Sequence, residues 1–269
     1  MNKIIRLIKL GDLMQFFDRI PLDGSDEYAI FSETYFIALI VSLGVLYFVY
    51  RYLPILKNRS WEKYIRIIIA VFIIYTSFNI YSFFFKNNLP WYRYIPEGTC
   101  GFSAILVAIM LLTKNKFIYK LLLFWSWGAF LALFAPNIKE GPNYYYFYQF
   151  YLRHILIVVS VFYMMRVFNY KIIKSDYRLY VYITLPLALI GLMINYLVYD
   201  PYNLNILFMM KPAISNTPLD LIYQIHPLLY SFVWIWIAVI LGYLYALPFY
   251  SSEKVMYKLA FIRRKGIAE

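Results

Sequence analysis

The chain has 269 residues, of which 63% are hydrophobic and 15% are charged, and its mean hydropathy is +0.61. A soluble domain is roughly half apolar and about a quarter charged, so this composition excludes a soluble-substrate enzyme. It also argues against a nucleic-acid-binding protein, despite the net charge of +12, and the single Cys excludes an internal disulfide and a Cys-based zinc site.

The first 20 residues predict an amphipathic helix that lies in the membrane interface, because apolar and charged side chains recur at helical spacing. Residues 22–33 are acidic and loop-like. The start of the chain lacks the long apolar core and the small-residue cleavage site of a signal peptide. We therefore expect an interfacial segment and loop at 1–32, a transmembrane domain at 33–250 and a basic cytoplasmic tail at 251–269.

Seven apolar segments follow, and each is near the length that crosses about 30 Å of hydrocarbon, although the third is short. They predict an all-α polytopic membrane helix bundle with seven transmembrane helices. The predicted spans are Thr34–Leu53, Tyr64–Phe85, Glu97–Thr113, Phe117–Ala135, Phe147–Phe168, Leu179–Tyr199 and Pro227–Phe249.

The charges of the connecting segments alternate with these spans. Sixteen basic residues fall on one side of the membrane and five on the other, which places the amino terminus outside and the carboxyl terminus in the cytoplasm. The richer side holds Arg51, Lys57, Arg59, Lys63, Lys114, Lys116, Lys120, Arg166, Lys171, Lys174, Arg178, Lys254, Lys258, Arg263, Arg264 and Lys265. The poorer side holds Lys86, Arg93, Lys139, Arg153 and Lys211. The first 20 residues carry four more basic residues, which this orientation places on the outer side, against the bias. A helix that lies in the outer interface tolerates such charges.

Polar side chains within the spans collect in the half that this topology places outside. They are Asn79, Glu97, Cys100, His154 and Asn195, and the last outer loop adds Lys211 and His226. Polar groups are costly in hydrocarbon and tend to face a bundle interior or a wet cavity, so they predict a cavity open to the outside. Structural alternatives exist: an Asn cross-links helices, a Glu caps a helix start, and a lone Cys serves as a small packing residue.

Cys100 and His154 are more informative together than apart. A thiol needs a base or a positive neighbour to become a nucleophile at neutral pH, and His is a base that titrates there. Their predicted depths are similar, but the sequence does not establish that the third and fifth spans are neighbours. Two His and one Cys form a poor metal set, so no metal, haem or nucleotide cofactor is expected.

Five short motifs, in this order and spacing, resemble the YwaF-like bacterial integral membrane proteins, which are related to eukaryotic membrane lipid transacylases. They are Ile95-Pro96-Glu97-Gly98-Thr99-Cys100; Gly128 with Ala135-Pro136-Asn137; Phe150-Tyr151-Leu152-Arg153-His154; Asn205 with Lys211-Pro212 and Leu219-Asp220; and Leu247-Pro248-Phe249. The resemblance implies that Cys100 carries an acyl group between lipids, that His154 is its base, and that Lys211 holds a phosphate or an oxyanion. The sequence departs from the family at Gly98, where a His is common, and His226 is a candidate to replace that imidazole.

Three functions compete on these grounds. The first is a lipid acyltransferase or transacylase that acts at the outer leaflet of the cell membrane, with membrane lipids as substrates. The second is a non-enzymatic partner or assembly subunit of a membrane complex, which the missing imidazole at position 98 favours. The third is a small-molecule transporter. It is the weakest of the three, because transporters often contain internal repeats and the seven predicted spans show none.

Overall fold

The computed structural model describes residues 28–86, 88, 90–96, 98–198, 204–212 and 218–251, with the side chains of residues 79–84, 86 and 93 left aside. Eight α-helices lie in these ranges: α1 Glu33–Tyr52, α2 Glu62–Lys86, α3 Thr99–Thr113, α4 Lys116–Phe134, α5 Tyr145–Val167, α6 Asp176–Leu197, α7 Pro218–Ile225 and α8 Pro227–Ala246. The described ranges contain no β-strand. The predicted interfacial helix, Glu97 and almost all of the predicted tail lie outside them.

Five helical segments are long and apolar enough to cross a membrane: α1 with the turn after it, α4, α5, α6, and α8 with the turn after it. The helix α2 has 25 residues, and α3 is a shorter apolar helix of 15. The all-helical fold and the presence of membrane-spanning helices agree with the sequence prediction, and the count of seven spans stays a prediction. The sequence analysis missed α7, which it treated as part of a loop.

The core of the bundle is formed by α4 and α5. In the most apolar part of each helix, 56% of α4 and 61% of α5 are buried, whereas the corresponding share for α1 with the turn after it is 17%. Large apolar side chains of α1, α2, α6 and α8 are exposed around this core, as at Ile40, Ile68, Leu189 and Trp236. Exposed aliphatic and aromatic rows of this extent suit contact with lipid tails.

The ends of the helices lie at two opposite ends of the bundle. At one end, which we call the basic end, the start of α2 contacts the end of α5, and the end of α3 contacts the segment after α5. The contacts are Tyr163 to Glu62, Tyr170 to Lys114, Lys120 to Asp176, Arg166 to Tyr50, and Ser251 to Ile172. Successive long helices therefore run in alternate directions. The opposite end holds Cys100, and we call it the thiol end.

An ion pair at the basic end fixes α3. Arg66 of α2 is 7% exposed, donates from Nε to Glu62 at 3.0 Å, and donates from Nη1 to the carbonyl of Leu111. The hydroxyl of Tyr163 donates to the same carboxylate at 2.7 Å. The guanidinium therefore satisfies a carbonyl in the last turn of α3, where intrahelical donors run out. The pair therefore anchors the end of α3 opposite to the one that carries Cys100.

At the thiol end, Tyr28 joins the start of the described chain to α5. Its backbone N–H donates to the carbonyl of Lys139 at 2.7 Å, and its hydroxyl lies 2.6 Å from that of Tyr151. Burial raises the pKa of Tyr28 above its usual value, so the phenol stays neutral at physiological pH. This hydrogen-bonded pair of phenols links the start of the described chain to α5, one helical turn from His154.

Candidate functional site

Cys100 lies in the first turn of α3 and is half-buried. Gly98 is the N-cap with extended backbone, and Pro96 folds back over the first turn of the helix. A Cβ at Gly101 would lie 2.5 Å from the Cβ of Pro96, so this approach requires a residue without a side chain. The Pro-Gly contact thus fixes how the chain enters α3 and where the thiol begins.

The thiol faces a bare stretch of α4. A Cβ built on Gly128 would lie 3.0 Å from Thr99 Oγ1 and 3.8 Å from Cys100 Sγ. The absence of a side chain at Gly128 therefore lets the start of α3 pack closely against α4, and the position that the hydroxyl and the sulfur contact is called the Gly128 notch. Because Gly in a helix interior costs about 0.5–1 kcal/mol relative to Ala, this position favours close packing of α3 at the expense of helix stability.

His154 lies on α5, which packs directly against α3. Its ring is 3% exposed and stacks on Phe150, and its Nδ1 lies 2.7 Å from the Phe150 carbonyl oxygen. A carbonyl only accepts, so Nδ1 carries the proton and Nε2 keeps the lone pair that a general base needs. The contact between α3 and α5 shows that the helices that carry Cys100 and His154 are neighbours.

Arg153 supplies the positive charge of this site. Its guanidinium is close enough to interact electrostatically with both the Cys100 thiol and the His154 ring. Within the described chain no hydrogen bond joins Cys100 directly to His154, and no cluster of three His, Cys, Asp or Glu residues could hold a metal ion.

Residues 204–212, which we call the strap, cross the thiol end between α6 and α8. Leu207 and Phe208 both have φ of 56°, a left-handed conformation that non-glycine residues hold only at some cost. Three side chains of α8 donate hydrogen bonds to three successive carbonyl oxygens of the strap. The donors are Trp234 Nε1 to Leu207 at 2.9 Å, the Tyr230 hydroxyl to Phe208 at 2.6 Å, and the Ser231 hydroxyl to Met209 at 2.5 Å.

Two buried Asn residues complete the attachment. Asn195 of α6 donates to the carbonyl of Ile206 at 3.0 Å and accepts from its N–H at 2.9 Å. Asn205 accepts from the N–H of Met210 at 2.8 Å and donates to the carbonyl of Lys211 at 2.9 Å. These amides therefore act as clamps on the backbone of the strap.

The ring of Phe208 brings the strap to the start of α3. A Cβ on Gly98 would lie 3.2 Å from Cε2 of Phe208, so the ring fills the space that a side chain at position 98 would occupy. Beneath the strap lies a cavity of about 50 Å³ between α4, α6 and α8. Its wall includes Thr99, which adjoins Cys100.

The predicted site residues divide into four groups. Cys100 and His154 lie on adjacent helices beside Arg153, whereas Asn195 and the backbone of Lys211 belong to the strap, with the Lys211 side chain exposed. His226 is exposed and caps α8, where its Nδ1 accepts from the N–H of Leu228 at 3.2 Å. The backbone of Asn79 lies in α2, but its side chain, like Glu97, lies outside the described set.

The sequence analysis gave no role to three features that shape the site: the notch at Gly128, the clamp at Asn205 and the ring of Phe208. Gly128 and Asn205 were part of the quoted motifs, and a Gly inside an apolar helix is a signal of close approach. Phe208 carries no such signal, because its contact depends on a loop conformation that an aromatic residue rarely adopts.

Comparison with known proteins gives one family and one relative. The TMEM164 family model matches residues 28–247, which take in all eight described helices. An uncharacterized protein of Treponema pallidum (strain Nichols) is 26% identical over 132 residues, which are 47% of this chain and 56% of that protein. The chain thus covers little more than half the length of that relative. No solved structure matches, and the closer kinship to YwaF-like proteins and transacylases stays a prediction.

Proposed function

This chain belongs to the TMEM164 family, and from that premise we propose that it is a seven-span membrane protein that transfers acyl groups between lipids through Cys100. The observation that carries the proposal is the grouping at the thiol end. There the thiol at the start of α3 faces the Gly128 notch, within reach of the charge of Arg153 and beside the helix that carries His154.

The proposed topology places the thiol end outside and the basic end in the cytoplasm of the cell that makes the protein, with the chain in its plasma membrane. Its support is that the segments joining helices at the basic end carry most of the loop cations, as the positive-inside rule requires. Alkaline phosphatase fused after Asn143 should be active and a fluorescent protein fused to the carboxyl terminus should fluoresce. The reverse pattern would overturn the orientation.

The chemistry of the first half-reaction follows from the two side chains. His154 Nε2 accepts the thiol proton, and Cys100 Sγ attacks the carbonyl carbon of a lipid ester. The bond from that carbon to the glycerol oxygen breaks, and the departing oxygen takes the proton back from the imidazolium. The products are a thioester on Cys100 and a lysolipid. Arg153 stabilises the thiolate before the attack.

The second half-reaction reverses these roles. The hydroxyl of an acceptor lysolipid gives its proton to Nε2 and attacks the thioester carbon, and Cys100 leaves as a thiol with that proton. The proposal requires Sγ and Nε2 to come within hydrogen-bond reach directly or through one water, a distance that often tightens only with substrate bound. Lys211, at the exposed edge of the strap, is proposed to hold the lipid phosphate by charge.

The test compares purified variants in nanodiscs that contain phosphatidylcholine and a labelled lysolipid. Cys100→Ala should abolish both acyl transfer and a hydroxylamine-sensitive mass increase on the protein, and His154→Gln should reduce transfer by roughly 10²–10⁴-fold. His226→Gln is the matched control, because that exposed His caps α8. Unchanged transfer in both Cys100→Ala and His154→Gln would remove the proposal.

One observation favours a second function, a non-enzymatic subunit of a membrane complex. The Phe208 ring lies against Gly98, where the resemblance leads us to expect an imidazole. Purification in mild detergent with a stoichiometric membrane partner, together with inactivity of the wild-type chain in nanodiscs, would support this function over acyl transfer.

A further inference from the structure

We propose that the cavity beneath the strap binds the first methylenes of the lipid acyl chain while the carbonyl carbon of that chain is at Cys100. This inference rests on the proposed acyl transfer and names the part of the substrate that the thiol end recognises. The cavity lies between the start of α3 and the helices α4, α6 and α8, beneath the strap.

The cavity and the thiol share one wall residue. Thr99 lines the cavity, and its Oγ1 lies at the Gly128 notch, which also faces Cys100 Sγ. The cavity is therefore the free space next to the residue that precedes Cys100 in the first turn of α3.

The walls are suited to hydrocarbon because their polar groups already have partners. The hydroxyl of Thr184 accepts from Trp125 Nε1 at 2.9 Å, and Trp234 Nε1 donates to the Leu207 carbonyl at 2.9 Å. The carbonyl of Ala238 accepts from the Tyr180 hydroxyl at 2.8 Å. A polar ligand would lose its water and find few groups to replace it, a penalty that an acyl chain does not meet.

The size of the cavity limits what it holds. On a measure where one water needs about 10–15 Å³, a cavity of about 50 Å³ takes roughly three to five groups of methylene size. It therefore fits only the part of the chain next to the carbonyl, and the rest must leave between the helices. Two small side chains, Ala188 and Ala238, face this space, so their methyl groups set its volume.

The test uses two phosphatidylcholine probes in nanodiscs, one with a diazirine within the first methylenes of its acyl chain and one with a diazirine at the far end. After illumination, the first probe should label cavity residues such as Trp127 and Trp234, and the second should label lipid-facing residues instead. Ala238→Leu adds three carbons and should reduce the cavity labelling at least fivefold. Ala132→Leu, on α4 and outside the cavity, should leave it unchanged.

The outcomes separate this inference from the proposed function. Acylated Cys100 with no cavity labelling by the first probe would overturn the acyl-chain site and leave acyl transfer standing. Cavity labelling in a wild-type chain that never forms the thioester would overturn acyl transfer, and with it the claim that the chain in the cavity is a reacting one. Equal labelling in Ala238→Leu and wild type would overturn the assigned location.

Discussion

Asn195→Ala is expected to loosen the strap from α6 without unfolding the bundle. In the native chain the Asn195 amide holds both the N–H and the carbonyl of Ile206, a residue that is 2% exposed. The carbonyl keeps a second donor, the N–H of Met209 at 3.3 Å, whereas the N–H of Ile206 loses its acceptor. One buried donor left unpaired costs about 1–3 kcal/mol. At about 2 kcal/mol, local opening becomes roughly thirtyfold more frequent.

Hydrogen–deuterium exchange in nanodiscs measures this opening directly. The peptide that covers 204–212 should exchange roughly thirtyfold faster in Asn195→Ala, while a peptide from the buried middle of α5 keeps its wild-type rate. Asn115→Ala is the matched control, because Asn115 caps α4 at the basic end through the N–H groups of Phe117 and Ile118. Unchanged exchange of the strap in a folded Asn195→Ala variant would refute the clamp.

The other predictions concern packing and charge, and thermal unfolding in detergent measures each of them. Gly242→Ala should destabilise the chain by about 1–3 kcal/mol, because its Cβ would lie 2.5 Å from the Tyr180 hydroxyl oxygen. Gly44→Ala is its control and should be neutral or stabilising by up to about 1 kcal/mol, since nothing lies within 4 Å of the added carbon. Arg66→Met should cost about 3–5 kcal/mol by leaving Glu62 buried without its cation, and the double variant with Glu62→Gln should recover part of that loss. Equal stability of the two glycine variants, or no recovery in the double variant, would contradict these contacts.

The long helices could be predicted because the membrane imposes one rule on every span, a long apolar segment bounded by polar residues. Predicted boundaries differ from the observed ones by at most three residues. The residues that fix these ends are readable in sequence, as where Ser32 caps α1 and Asn115 caps α4. The helix α7 was missed because it has only eight residues and buries no side chain, so neither length nor burial marks it.

The site could be predicted only in part. An intramembrane His and a thiol at similar depth are rare enough to suggest a pair, and the packing of α3 on α5 makes the helices that carry them neighbours. The roles of the Asn residues were not predictable in the same way. An amide in a span can bind a ligand, another helix or a loop, and only the path of the strap decides that Asn195 binds Ile206.

The Gly at position 98 and the shape of the strap are best understood together. A His at 98 would need the space that Phe208 fills, since even a Cβ there lies 3.2 Å from the ring. The ring reaches that space only because Leu207 and Phe208 adopt left-handed backbone, which costs about 1–3 kcal/mol for each residue. Hydrogen bonds from Trp234 and Tyr230 to the carbonyls of the same two residues offset that cost. The space for a side chain at position 98 is thus occupied by an apolar ring of the strap, whereas His154 and Arg153 lie on α5, which packs against α3.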